Sequence, residues 1–525
     1  MKKSIRILMV LLVCLMIVPM FAACGNGDGA DTTKPTGNQP SGNQETTTPG
    51  EGGVKDPNYI APIDMDGYVF KALVRSKDVG DSTEALQNGS AGFYCEDFWV
   101  AEESQDALSF AVYTRNLTIQ EDFNCRIAQV DQHMSMYQQL MDAYDSGETY
   151  EMTVILATHA ASAATSNLLR DINSMDYVDL THAAYDQNSI KELSMGGKLY
   201  YLSGDMNIST MDNAIVSVVN MVLFDSLKET FLEVFNDELF TDPYEMVAEG
   251  EWTLDNQLTM AELANVDMNK SDGALSHAKG DTIGYFQYGA TPLYYFYGSG
   301  ARISELDEDG YPTLVIDSDL AQETYDYLYR EYNVVSKPWM PRGFEADRRP
   351  NVLSGQVLFV DYLLWDVRKT MYPQSTFEYG LLPLPLFTDG QERHYTVMYW
   401  QNCVNLWAMP NMCADPDLAA RMLQIMAVYS SKKDSTMDAY YQKTMYMTVA
   451  TDMGSRNALN MVKDSIVYDI ALLYGWGAYK DLLLKIGTAS ANGYAHGTAN
   501  IDTATAQMEI TLEQFKNPQH VPDAQ

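Results

Sequence analysis

The side chains in this chain best suited to chemistry are aromatic, with 35 Tyr and 7 Trp among 525 residues. Sugar rings present apolar C–H faces that stack on aromatic planes, while their hydroxyls need fixed donors and acceptors such as Asp, Asn, Gln and Arg. Any single Tyr or Trp is more often a core residue than a ligand platform, so composition alone selects no position. Catalytic constellations are missing: the chain has no GxSxG elbow, HExxH pair, phosphate-cradling GxxxxGK[ST] or strand-borne GxGxxG. The 71 acidic residues could place two carboxylates together for glycoside hydrolysis, but nothing in the sequence singles out a pair. Asp307-Glu308-Asp309-Gly310 loosely suggests a calcium loop, yet Ile316 stands where a bidentate Glu would close it, so a hairpin turn is expected. The 7 His are scattered and no CxxC or Cys/His cluster suggests zinc, so neither metal nor cofactor is expected. A formal charge of −37 argues against nucleic acid and against a polyanionic substrate.

The amino-terminal segment addresses location. Lys2, Lys3 and Arg6 precede an apolar run from Ile7 to Ala23, too short and too soon followed by polar sequence for a membrane span, so it reads as a secretion signal. Phe21-Ala22-Ala23-Cys24 resembles a bacterial lipobox, with Phe21 where Leu is usual; the Cys24 thiol would be lipidated and its amine would become the mature terminus. Acyl chains there would hold the protein on the outer face of the cell membrane. Residues 25–58 are almost devoid of apolar side chains and read as a disordered tether. Cys95, Cys125, Cys403 and Cys413 remain, and they allow disulfides without requiring them.

Roughly 470 residues beyond the tether exceed a usual single core, so two lobes are expected. Strands are expected at Tyr68 to Arg75, Cys125 to Asp131 and Glu151 to Thr158, with helices at Ala107 to Asp122 and Tyr137 to Tyr144 between them. Such alternation implies an α/β architecture with a mainly parallel sheet. Ala214 to Leu223 reads as a later strand, Asp317 as the cap of a helix through Tyr332, and Val357 to Tyr362 as a further strand. Pro383 and Pro385 end an apolar run begun at Tyr379, and Tyr395 to Trp407 reads as an aromatic strand before a helix capped by Asp415 with Pro416 at its first position.

Several motifs together resemble the carbohydrate-type solute-binding lipoproteins of ABC transporters. They are AVYTRN at Ala111 to Asn116, EDFNCRIAQVD at Glu121 to Asp131, the turn Gly196-Gly197-Lys198-Leu199-Tyr200, Pro243-Tyr244-Glu245-Met246-Val247 followed by Gly250-Glu251-Trp252-Thr253, and the crossing stretch Glu378 to Pro410. The resemblance implies a type II periplasmic-binding-protein-like fold, two lobes joined by a hinge with crossing strands. Lobe one would comprise residues 59–212 and 381–432, and lobe two 213–380 and 433–517, after a signal and lipobox at 1–24 and before a tail at 518–525. It implies a non-enzymatic monomer that binds a sugar or oligosaccharide between its lobes and delivers it to permease subunits. Clefts form where loops leave the carboxyl ends of strands, which in the resembled fold selects Trp99, His159, Asp205, Tyr288, Trp365, Trp400 and Gln401 as ligand-binding candidates. Trp252, Trp407 and Trp476 are expected to be structural, and Cys125 a core residue. A surface glycan-acting enzyme and a carbohydrate receptor without transport remain as alternatives.

Overall fold

The computed structural model describes residues 59–75, 95, 97–101, 106–132, 136–268, 275–332, 340–343, 345–388, 390–398, 404–486 and 500–517. The strands in chain order are β1 Tyr68–Arg75, β2 Cys125–Gln132, β3 Met152–Leu156, β4 Tyr201–Leu202, β5 Ile215–Asn220, β6 Ile283–Tyr288, β7 Ser304–Leu306, β8 Pro312–Leu314, β9 Arg342–Gly343, β10 Val357–Leu363, β11 Tyr379–Leu382, β12 Thr396–Val397, β13 Asn405–Ala408 and β14 Ile466–Val467. Ten of them form two five-stranded sheets, ordered β2-β1-β3-β13-β4 and β11-β5-β10-β6-β9. In the first, β1 runs parallel to β2 and β3, whereas β13 is antiparallel to both β3 and β4. In the second, β10 is parallel to β6 and antiparallel to β5. Read from β2 and from β9, the two sheets repeat one pattern, in which the fourth strand opposes its neighbours and comes from a distant part of the chain.

Burial explains the strand sequences. MTVIL of β3 and IVSVVN of β5 are buried throughout, the continuous apolar pattern of a central strand covered on both faces. Helices start where local chemistry permits. Asn220 ends β5, and its side-chain oxygen accepts the Leu223 N–H at 3.1 Å, so helix Met221–Phe235 takes residues that apolar content alone assigns to a strand. Helix Ala157–Thr165 likewise claims the end of EMTVILAT. Ser318, rather than Asp317, caps helix Asp319–Glu331, Thr253 caps Leu254–Ala264, and Asp415 caps Pro416–Ser431 as expected. The expected aromatic strand from Tyr395 is two short ones, β12 and β13, with residues 399–403 outside the described set. Asp307 accepts the N–H groups of Asp309 and Tyr311 and forms the turn between β7 and β8.

The chain passes between the sheets at two adjacent places. Helix Ile208–Asp212 leads into β5, and the returning segment at β12 lies beside it, with Ala214 bridged to Met398 and the Thr396 hydroxyl donating to Ile215 O at 2.8 Å. A second ladder joins β12 to β14. Trp252, Trp407 and Trp476 are buried, and Trp252 Nε1 donates to the Pro383 carbonyl where β11 leaves its sheet. Cys95, Cys125 and Cys413 are buried free thiols. Among the described residues no helix is long and apolar enough to cross a membrane.

Candidate functional site

Parallel neighbouring strands bring their carboxyl ends to one edge of a sheet, and an antiparallel strand brings its amino end there. In the first sheet this edge carries Arg75 at the end of β1, Asn405 at the start of β13 opposite Leu156, and His159 in the helical turn after β3. Arg75 is buried and donates from Nη1 to Asn405 Oδ1 at 3.4 Å. Burial, and then the nearby Arg75 charge, hold the His159 imidazole below its ordinary pKa, so it is kept neutral. Its Nδ1 is buried with no hydrogen-bond partner among the described residues.

The corresponding edge of the second sheet is aromatic and charged. β6 ends at Tyr288 and β10 at Leu363, followed by half-buried Trp365 and buried Asp366. Arg348, from helix Glu345–Leu353, places its guanidinium 4.3 Å from the Tyr288 ring centre and 3.9 Å from that of Tyr362. It also donates to the Asp361 carbonyl at 2.8 Å and pairs with Asp366 at 3.0 Å, so it is fixed rather than mobile. Beneath it, burial pushes the Asp361 carboxyl up to about 6, against the lowering effect of hydrogen bonds from Tyr285, Ser217, Tyr295 and Thr291. Stacking planes and charged hydrogen-bonding groups thus share one rim.

An ion pair links the segment after β10 to the crossing. Arg368, just past β10, pairs with Asp212, which also accepts the Tyr440 hydroxyl at 2.9 Å and stands at the end of the helix that enters the second sheet. Burial would raise Asp106, but the Ser109 N–H and hydroxyl together with Lys369 and Arg368 outweigh it and hold the carboxyl below its ordinary value. Asp106 belongs to the connection after β1, so this loop of the first lobe meets the loop that follows β10 of the second.

His159, Tyr288 and Trp365 therefore lie at the two edges. Trp99, 37% exposed, lines a separate cavity of about 510 Å³ along β2 with Tyr113, Gln120 and Arg126. Asp205 lines another, of about 290 Å³, with Asp186, Asn207 and Lys463; burial raises its carboxyl, and it accepts the Ser431 hydroxyl at 2.7 Å. Trp400, Gln401 and Cys24 lie outside the described residues. Arg75, Arg348 and Asn405 were not selected from the sequence. An arginine closing the apolar strand β1 is a signal that could have found the first.

No protein-family model matches the chain, and no curated protein matches it. Solved structures do. A cyclo/maltodextrin-binding protein complexed with maltotetraose is 14% identical, with a TM-score of 0.50, over 87% of this chain and 98% of that one. The sugar-binding protein MalE from the phytopathogen Xanthomonas citri is 11% identical, with a TM-score of 0.51, over 86% and 99%. The galacto-N-biose/lacto-N-biose I-binding protein of the ABC transporter from Bifidobacterium longum, in complex with lacto-N-biose, is 10% identical, with a TM-score of 0.51, over 86% and 98%. At these identities the likeness establishes the fold: this chain has the α/β architecture of a periplasmic sugar-binding protein, two lobes joined by a hinge.

Proposed function

We propose that this protein is the lipid-anchored, extracellular substrate-binding component of an ABC importer, binding a sugar or oligosaccharide between its lobes and passing it to permease subunits. The observation that carries the reading is the pair of sheets of repeated order, whose carboxyl edges meet beside the crossing and carry Tyr288, Trp365, Arg348, Arg75 and Asn405. The solved structures of like fold are sugar-binding proteins, which supports the ligand class. Ligand would favour a closed arrangement in proportion to its tighter binding to that state. The lobes would divide at residues 59–212 with 381–432 and 213–380 with 433–517, and Cys24 would carry the anchor. Trp400 and Gln401 would join Trp365 at the cleft from the returning strand segment. The protein would act as a monomer and leave its ligand chemically unchanged.

The test is a thermal-shift screen of the soluble body against maltotetraose, other mono- and oligosaccharides, amino acids and peptides, followed by calorimetry and analysis of the recovered ligand. A saccharide is expected to raise the melting temperature and to be recovered intact. Stabilisation only by amino acids or peptides would overturn the ligand class, and recovery of cleaved saccharide would turn the reading to a surface glycan-acting enzyme.

A further inference from the structure

A cavity of about 390 Å³ lies between the helix Gln187–Leu193, which precedes β4 of the first sheet, and residues 300–306, which follow β6 of the second. It is distinct from the carboxyl-edge residues described above and adjoins the crossing, since Tyr395 immediately precedes β12 and Val467 belongs to β14. We infer that this groove is a second solute site, taking a small molecule that carries a single carboxylate or phosphate group.

The argument rests on where the positive charge is placed. The chain has 34 basic residues against 71 acidic ones, so a cation should readily find a carboxylate. Lys191, Arg302 and Arg393 all line this groove, and none of them forms an ion pair among the described residues. Arg302 and Arg393 instead share one aromatic ring, with their guanidinium carbons 5.0 and 4.7 Å from the centre of Tyr395. Arg302 is buried and is anchored by the carbonyls of Tyr297 and Ala301, at 3.4 and 2.8 Å, while the Arg393 guanidinium donates, among the described residues, to the Asp464 carbonyl at 3.4 Å. Two guanidiniums held against one ring repel each other, and an oxyanion between them would remove that repulsion and accept bidentate hydrogen bonds.

The lining acids limit the ligand's charge. Glu192 already accepts the Tyr468 N–H at 2.6 Å, and burial raises its carboxyl; Glu305 is exposed. Two carboxylates stand against three cations in the lining, and Asp469 behind it already offsets part of the Arg302 charge, so the groove suits at most one anionic group and not a polyanion. Tyr395 and Leu306 offer an apolar surface to the rest of such a solute. Because Lys191 comes from one lobe and Arg302 from the other, an occupant touches both, and its binding is coupled to their relative orientation.

The experiment is calorimetry of the soluble body at low ionic strength with glucuronate, glucose 6-phosphate, inorganic phosphate and glucose. Lys191 and Arg393 are exposed, so the double variant K191Q/R393Q should keep the wild-type melting temperature. Expected are binding of glucuronate or of a phosphate compound, no competition by glucose, at least a tenfold loss of affinity in K191Q/R393Q, and no loss in W365A. The carboxylate and phosphate arms decide which group the site prefers. No binding of any anion at millimolar concentration, glucose binding that K191Q/R393Q weakens as much as it weakens anion binding, or loss in W365A with retention in K191Q/R393Q would overturn the inference. A protein that binds an anion through Lys191 and Arg393 but no neutral saccharide would keep this site while refuting the cleft reading, so the two fail separately.

Discussion

Asp361 is a carboxyl surrounded by donors and still burdened by burial, with a folded-state value near 6 against an ordinary 3.8. A raised folded value means that the native state holds its proton longer than the unfolded chain. The stability contribution is therefore greatest below about pH 4 and is lost as pH rises towards 6, by about 3 kcal/mol for a rise of this size. The stability advantage of wild type over D361N should shrink by that order between pH 4 and 7 in urea titrations; a constant difference would show that the carboxyl ionises normally. At the rim, Trp365→Ala and Tyr288→Ala should each weaken saccharide binding by about 1 to 3 kcal/mol with little loss of stability, since both residues are only half-buried. Trp400→Ala should do the same. If truncation instead lowers stability by about 3 to 5 kcal/mol and spares affinity, the residue is core. Strand-end position drew His159, Tyr288 and Trp365 from the sequence because side chains at a carboxyl edge follow the strand directly. It could not separate Trp99 and Asp205, whose grooves depend on how later helices pack. Arg348 gave no signal at all, for it reaches its two rings from a helix interrupted by Pro350.

Elements were legible where period and caps agree, as in helix Pro416–Ser431, and illegible where pairing alone makes a strand. β4 and β9 are two residues each, too short to show any alternation, yet each completes a sheet. The ends of β3 and β5 were misplaced because apolar residues continue into the helices that follow them, and only the Asn220 cap marks one boundary. Contact between elements is closest at Gly284 in β6, where a Cβ would stand 1.7 Å from the Ala261 carbonyl oxygen of helix Leu254–Ala264. The obstacle is backbone, so it cannot swing aside. Gly284→Ala should therefore destabilise the second lobe by at least about 1 to 3 kcal/mol, read as a lower urea midpoint. An unchanged midpoint would mean that the helix can lift away from its sheet at no cost.

For the whole molecule, burial raises Asp97, Asp186, Asp205, Asp361, Asp469 and Glu192, whereas Asp106 and Asp64 are lowered. Raised acids contribute stability that falls as pH rises through their folded values, and a net charge of −37 adds repulsion in the same direction. The part of this loss set by Asp361 should accordingly fall between about pH 4 and 6, and a stability that rises monotonically across that window would contradict its burial. Saccharide should also make the body more compact in solution scattering and stabilise it by about 2.7 kcal/mol at a hundredfold excess over its dissociation constant. Tight binding without compaction would count against a closing clamp. Replacing Cys24 by Ser should abolish lipid labelling of the chain, and persistent labelling would dismiss the lipobox. The two-lobed architecture was legible because strand and helix alternation and the proline crossing are both local signals. The hinge contacts were not, since Asp212 and Arg368 are far apart in sequence.

The strand β13 joins β4 to the rest of the first sheet, and it arrives only at Asn405–Ala408, after every strand of the second sheet has been made. A nascent chain emerging amino end first therefore cannot complete its first lobe on its own. β3 waits with an open edge while more than half of the remaining polypeptide appears, and closure requires pairing across a very long loop. The sheet begun first is thus closed only after the second, and its open edge persists through most of the chain's synthesis.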